Sequence, residues 1–243
     1  MSLKSALLLA AAIFLITVLV RLPAAILPLL LPASVQCQSP LGTLWQGSCA
    51  QLSGGGFALS NVRWQLHALA LLRARLAVDV QSDDARAAGR AQLTLRHNGD
   101  LQIRELNATL PLQGGLSVMP AGWTGALELA IEQASLQGGH LVAVQGVITA
   151  RQLHSDHPAA DLGSFELNFP EPQGDAPMLG TLRDLDGPLA LQAHVQLARD
   201  GNYQLDGTVA ARSTANADLQ QLLQLLGPAD AQGRRALSLA GTL

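Results

Sequence analysis

Apolar and polar residues alternate in short runs from residue 40 to the end of the chain, and turn-forming residues separate the runs. The clearest runs begin at Val62, Leu76, Leu127, Phe165 and Leu189. A period of two indicates half-buried strands, so that one face of the sheet is apolar and the other is wet. Because the runs recur about every 8–12 residues and include the hairpin step Asn98-Gly99, the pattern predicts an antiparallel meander.

Two stretches have helical rather than alternating spacing. Residues 217–226 are the clearer case, because their leucines fall on one helical face and Gly227-Pro228 follows as a stop. The leucines of this face are Leu219, Leu222, Leu223 and Leu226. Residues 66–76 fit either a short helix or a strand with a bulge, and the pattern leaves both open.

The amino terminus differs from the rest, because residues 6–20 form an unbroken apolar run with one threonine and no charge. Fifteen helical residues span about 22 Å and a bilayer core needs about 20 residues, so the run suffices once flanking residues are added. We therefore predict a transmembrane anchor. The residues assigned to this anchor are Ala6, Leu9, Ile13, Leu15, Val18 and Val20. Lys4 precedes the run and Arg21 follows it, which favours a cytoplasmic amino terminus.

The competing hypothesis is a cleaved signal peptide, which the short basic start and the apolar run would also suit. The cleavage site argues against it, because a cut after Ala25 would place Pro23 at the −3 position. A cut after Ala33 would place Leu31 there. We therefore favour an uncleaved anchor, and with either fate of this segment the rest of the chain is exported.

The chain divides into an anchor with a proline-rich exit, residues 1–33, and an exported β-rich domain, residues 34–243. The residues around Trp45 resemble those around Trp123, and each group precedes a series of strands. This similarity suggests two pseudo-repeat halves, about 34–118 and 119–243. The predicted fold class is mostly β: an amino-terminal transmembrane helix, then a curved antiparallel sheet with one short carboxy-terminal helix.

Composition restricts the classes of function. The 243 residues carry a net charge of −3 and only 14% charged side chains, which leaves no basic surface for nucleic acid. Cys37 and Cys49 are either a disulfide or two free thiols, and we favour the disulfide because they flank a predicted turn and strand start in an exported chain. No Cys-x-x-Cys motif occurs, which argues against a redox enzyme.

Residues that can carry chemistry are present but do not converge along the sequence. Ligand-type side chains occur at His154, Asp156, His157 and Asp161. They lie in a proline-rich polar stretch without a second cluster, so we expect an exposed loop rather than a metal site. Ser48 lacks the Gly-x-Ser-x-Gly context of a nucleophile. Glu128 and Glu132 would face solvent on a strand, and we predict no enzyme activity, no metal and no cofactor.

The tryptophans Trp45, Trp64 and Trp123 belong to a chain with only 3% aromatic residues. We expect them to be buried where strands cross, and the alternative is that some line an apolar groove or contact a partner. If no second layer covered the apolar face of the sheet, a large apolar patch would remain, and soluble monomers rarely expose such patches. A face of this kind would accept lipid, a helix lying across the sheet or another subunit.

An ordered set of motifs covers nearly the whole chain. The motifs are residues 42–47 (GTLWQG), 61–64, 69–76, 162–167, 185–189, 200–207, 222–227, 233–235 and 239–241. In its order and overall length this set resembles the type II secretion system protein N family. Single motifs are moderately specific, and the ordered set is much more so.

The resemblance implies a single-pass inner-membrane protein of Gram-negative bacteria whose main domain lies in the periplasm. It implies an accessory role in the machine that sends folded proteins across the outer membrane, with other type II secretion proteins and the inner membrane as partners. The family is also similar to periplasmic AsmA-like proteins, whose long curved sheets have apolar concave faces. The alternative function is therefore a lipid-binding or lipid-handling module that takes phospholipid. The resemblance brings no catalytic residues with it.

Overall fold

Strands account for most of the chain that the computed structural model describes, which is residues 13–14, 17–18, 20–30, 35–54, 57–84, 87–112, 122–156, 159–172, 174 and 176–242. The strands are β1 (Val35–Gln38), β2 (Leu41–Gly42), β3 (Gln46–Gly54), β4 (Phe57–Leu66), β5 (Arg75–Asp83), β6 (Ala88–Arg96), β7 (Leu101–Pro111), β8 (Trp123–Gln137), β9 (His140–Asp156), β10 (Ala159–Phe169), β11 (Met178–Asp186), β12 (Leu189–Leu197), β13 (Asn202–Ala211) and β14 (Arg235–Thr242). The prediction of a mostly β protein is confirmed.

Short helices lie before and between these strands. They are a 3₁₀ turn at Ala24–Ile26, then α1 (Leu27–Leu30), α2 (Ala68–Leu71) and α3 (Ala217–Gln224). The predicted carboxy-terminal helix is α3, and Asn216 caps it by accepting a hydrogen bond from the Leu219 N–H at 2.9 Å. The ambiguous stretch 66–76 contains the last residue of β4, the single turn of α2 and the start of β5.

The fourteen strands form one antiparallel sheet in which neighbours in sequence are neighbours in space. Of the described strands, only β2 lies off this path, because it pairs with β3 further along the same edge as β1. The register is illustrated by Trp64 of β4, which lies opposite Val80 of β5, while Val80 lies opposite Ala91 of β6. The predicted meander is confirmed over the described residues.

This register collects the apolar side chains on one side of the sheet, since directly opposed residues share a face. The apolar face includes Val62, Trp64, Val78, Leu93, Ile103, Ile131, Ile148, Leu167, Leu182, Val195 and Leu205. The polar face includes Arg63, Gln81, Arg90, Glu128, Thr149, Glu166, Arg183 and Gln192. A one-sided apolar sheet, as the alternation predicts, therefore runs from β4 to β13.

Bulges keep the apolar residues on one face where the sequence alternation breaks. Two residues rather than one separate Ile103 from Leu106, and a bulge at Glu105, with a φ of 50°, absorbs the extra residue. Gln152, with a φ of 49°, marks the same adjustment in β9. Without these bulges every apolar residue beyond them would point to the wet side.

The predicted membrane anchor is described only in part. Ile13, Val18 and Val20 are helical and exposed, while Ala6, Leu9 and Leu15 lie outside the described residues. Among the residues that are described, none of the helices has the length and apolar character needed to span a bilayer. The anchor stays a prediction. The pseudo-repeat halves stay one as well, because their boundary near residue 118 also lies outside the described chain.

Candidate functional site

At its amino-terminal side the apolar face is covered by the chain that precedes β1. The buried cluster there consists of Ala24, Cys49, Val62 and Trp64, with Leu27 of α1 packed against it. The indole of Trp64 is fixed by its Nε1–H, which donates to the Leu44 carbonyl at 3.1 Å. Gly47 lies opposite Trp64, and any side chain at Gly47 would collide with the ring. This end of the face is therefore closed by the protein's own residues.

At its carboxy-terminal side the apolar face is covered by α3. The buried residues there are Leu189, Leu191, Val209, Ala215, Leu219 and Leu223. Of the four leucines predicted to share one helical face, Leu222 and Leu226 are exposed instead. The apolar stripe of α3 is thus narrower than the sequence indicates, because the helix meets the sheet through two of its leucines.

Between these covered ends lies a central part over which no described helix passes. Its buried residues are Ile131, Ala134, Val144, Phe169, Met178 and Leu197. The loop around Pro170 borders it and leaves an apolar hollow of about 170 Å³ beside Phe169 and Met178. Leu239 in the last strand is still 50% exposed on the same face. Because the central residues are themselves only 4–6% exposed, the β14 part around Leu239 is where the apolar face offers a partner exposed contact.

The polar face is lined by ion pairs between neighbouring strands. The pairs are Arg63–Asp83 (2.7 Å), Arg151–Glu128 (2.6 Å) and Arg183–Glu166 (2.7 Å). Two open hollows of about 700 and 620 Å³ lie over this face between β2 and β9. Because the arginines of these pairs are more than half exposed, each pair contributes about 0–1 kcal/mol. The polar face has the character of a solvated surface.

Among the described residues, Asp200 and Asp230 have a carboxyl pKa below the ordinary value of 3.8. The pKa of Asp200 is lowered mainly because the backbone N–H of Asn202 donates to it, and that of Asp230 mainly because the backbone N–H of Arg234 does so. Both acids lie in exposed turns rather than in a cleft. Their hydrogen bonds stabilise those turns, which is a structural role and not acid–base catalysis.

Sequence reasoning missed Asp184, which is the most enclosed of the paired acids. Its carboxylate accepts a hydrogen bond from the Leu191 N–H at 2.7 Å and pairs with Arg212, 28 residues away. Asp186, two residues on, accepts from the Ser164 N–H at 2.8 Å. The sequence contains an Asp-x-Asp pattern before the turn glycine Gly187 as a possible signal. The hydrogen-bond partners of these two acids, however, depend on the strand register, which cannot be read from the sequence.

The predicted cysteine pair lies at the amino-terminal edge of the sheet. Cys37 of β1 and Cys49 of β3 are joined as a disulfide, with their Cα atoms 5.7 Å apart. Of the three tryptophans Trp64 is buried, whereas Trp45 and Trp123 are half-buried. Trp123 begins β8 at the opposite end of the strands from Trp45, so the tryptophans do not form one site.

The predicted ligand-type residues come together only around His154. Its Nδ1 lies 2.7 Å from Asp161 Oδ1 and its Nε2 lies 3.6 Å from Asp156 Oδ1. His157 lies outside the described residues. Within the described part of the chain, no group of three or more histidine, cysteine or acidic side chains is arranged to hold a metal ion. Glu128 pairs with Arg151, and Glu132 accepts from Gln145 at 2.7 Å.

Known proteins with similar sequences belong to one family. The sequence model described as "Type II secretion system (T2SS), protein N" matches residues 33–238. A "Type II secretion system protein N" of Vibrio cholerae is 27% identical over 93% of this chain and 93% of its own length. The protein of that name from Klebsiella pneumoniae is 30% identical over 93% of this chain and 91% of its own. No solved structure matches the chain.

Proposed function

The chain belongs to the type II secretion system protein N family, and from this premise we propose that it is an inner-membrane component whose periplasmic β domain contacts other secretion proteins. Membership makes it an accessory component of type II secretion, and its relatives are named as secretion proteins rather than enzymes. In the proposed topology the apolar amino-terminal segment crosses the membrane once, with its amino terminus in the cytoplasm and residues 34–243 in the periplasm.

The observation that carries the proposed contact is the incompletely covered apolar face. The family match spans the whole sheet from β1 into β14, so the sheet is the part shared with the relatives. Its two ends are closed by α1 and α3 and its central residues are buried, while Leu239 in β14 is still 50% exposed. A protein partner that packs along β14 would cover this exposed side chain.

The test is affinity purification of the full-length protein in mild detergent from its native envelope, with co-purifying proteins identified by mass spectrometry. We expect other secretion components to be recovered. A Leu239→Glu variant should lose them, because it places a charge on the apolar face at a position exposed enough to remain folded. Ala240→Glu is the matched control, since it adds the same charge to the same strand on the polar face.

Deletion of the protein should reduce secretion, and the Leu239→Glu variant should behave like the deletion while Ala240→Glu behaves like the wild type. Circular dichroism and tryptophan fluorescence of both variants establish that each is folded. Normal secretion after deletion, together with purification of the protein free of every secretion component, would refute the proposed function.

The second candidate function is a lipid-binding or lipid-handling module, and the continuous apolar face favours it. The apolar hollow beside Phe169 measures about 170 Å³, which is smaller than the roughly 300–1,000 Å³ of small-molecule pockets. A phospholipid would therefore lie along the exposed β14 part of the apolar face rather than inside a cavity. Lipid analysis of the same purification separates the two functions: stoichiometric phospholipid without secretion components would favour lipid handling.

A further inference from the structure

One end of the sheet is where the amino-terminal segment joins it. The Leu44 N–H donates to the Leu22 carbonyl at 2.9 Å, and Pro23 forms a bridge with Thr43. Since neighbouring strands are antiparallel, the β4–β5 connection, residues 67–74, lies at this same end. The Leu66 N–H fixes its start by donating to the Trp45 carbonyl at 2.7 Å. We call this end of the sheet the entry end.

The connection at the entry end presents apolar side chains to the outside. Leu69 is 79% exposed and Leu72 is 84% exposed, and both lie in the turn that contains α2. The neighbouring part of the sheet can bury leucine side chains, because Leu66 is half-buried on the apolar face. Leu69 and Leu72 are instead held away from that face by a helical turn that ends in a tight bend at Ala74, where φ is 51°.

The same end carries three arginines that form no ion pair with the described acids. Arg75 at the start of β5 lies directly opposite Arg96 at the end of β6. Like charges in directly opposed positions repel and destabilise the strand pair. The Nε of Arg96 is buried without a hydrogen-bond partner. Arg73 precedes them in the connection, and the nearest acid on β5, Asp79, is engaged with His67 at 2.8 Å. Arg73, Arg75 and Arg96 therefore lie at the entry end without an ion pair to a described acid, although Asp100 lies in the adjoining β6–β7 turn.

We propose that residues 67–74 together with Arg75 and Arg96 form a docking site for the surface of an anionic phospholipid bilayer. Leu69 and Leu72 enter the boundary between headgroups and acyl chains, and the arginines hydrogen-bond the lipid phosphates. An anion at this position relieves the opposition of Arg75 and Arg96.

Chain geometry supplies the reason for choosing a bilayer as the occupant, and here the inference rests on the proposed membrane attachment. The apolar run ends at Val20, and Leu22 is already hydrogen-bonded to the sheet. Two extended residues reach at most about 7 Å. If the run is embedded, the bilayer surface must lie within that distance of the entry end, so the exposed leucines and the arginines would meet headgroups.

The test places the photo-cross-linking residue p-benzoylphenylalanine at position 72 of the full-length chain in nanodiscs. The matched control carries it at position 225, because Leu225 is 81% exposed and follows α3 near the other end of the strands. In discs that contain phosphatidylglycerol we expect position 72 to cross-link lipid several-fold more than position 225. Arg73→Gln combined with Arg75→Gln should reduce this yield, and discs of pure phosphatidylcholine should reduce it similarly.

Equal labelling at positions 72 and 225, or cross-links from position 72 to a second copy of the chain, would overturn the docking site. Yields that do not depend on phosphatidylglycerol would overturn the role given to the arginines, and with it the anionic surface. A chain that does not elute with the discs would refute the proposed membrane attachment as well. No secretion protein is present in this experiment, so its failure leaves the proposed secretion contacts to be judged by purification.

Discussion

Reducing the Cys37–Cys49 disulfide should lower the free energy of unfolding of the β domain by about 3 kcal/mol. The bond connects β1 to β3 across a sequence separation of 12 residues. The chain-entropy relation for a closed loop of about that length gives this figure, since the bond restricts the unfolded chain. Cys49 is 2% exposed beside Trp64, so the bond also holds the edge that α1 covers.

The assay is urea unfolding of the full-length protein in detergent, with and without a thiol reductant, followed by tryptophan fluorescence. With an m-value of about 3 kcal/mol per molar urea, the midpoint should fall by about 1 M on reduction. Reduction breaks only the S–S bond and removes no side chain, so the comparison isolates the contribution of the bond. A variant with Cys37→Ala and Cys49→Ala is the control, and its midpoint should not respond to the reductant.

Alkylation with iodoacetamide before any reduction shows whether the bond is present in protein taken from the envelope. Two modified cysteines per chain would refute the disulfide outright. If the cysteines do not react with iodoacetamide and the urea midpoints before and after reduction are equal, the stability argument is refuted instead. The bond would then exist without restricting the unfolded chain. The two results are distinguishable from a single preparation.

Three further perturbations test other contacts. Trp64→Ala should cost about 3–5 kcal/mol in urea unfolding, and a cost no greater than that of Trp64→Phe would contradict the packing described. Asp184→Ala should cost about 1.5–3 kcal/mol because the Leu191 N–H loses a charged acceptor, and an unchanged thermal midpoint would contradict this. The lowered pKa of Asp200 stabilises its turn above about pH 3.8, and this contribution is lost as the pH falls through that lowered pKa. The NMR shift of the Asn202 amide should therefore titrate below pH 3.8, and should not do so in Asp200→Asn.

Local pattern sufficed to predict the strands because each strand here pairs with its neighbour in sequence. Alternation around Val62 and along residues 189–197 predicts which side chains share a face, and the register bears this out. In a meander no distant strand inserts between neighbours, so the sequence order is also the spatial order. The overall sheet was therefore accessible from the sequence.

The bulges and the partners of the enclosed acids could not be predicted from the sequence in the same way. A bulge at a non-glycine residue with positive φ, such as Glu105, is visible in the sequence only as an interruption of the apolar–polar alternation. Turns and strand ends interrupt the alternation in the same way, so the sequence does not distinguish them from a bulge. Asp184 finds Arg212 because two strand pairings bring them together across 28 residues. Such contacts depend on register, and one residue of slip would separate them.

The two ends of the sheet differ in how their arginine side chains are paired, and this difference bears on how the sheet is oriented. At the end away from the entry segment, arginines are paired with acids, as Arg212 is with Asp184 and Arg234 is with Asp230. At the entry end Arg75 and Arg96 lie opposite each other and form no ion pair with a described acid, although Asp100 lies in the adjoining turn. An end whose charges are satisfied internally is stable when it faces water. An end with unpaired arginines gains from an external anion, so in the proposed arrangement the sheet stands with its entry end toward the bilayer, and Leu239 remains exposed at its side for a secretion partner.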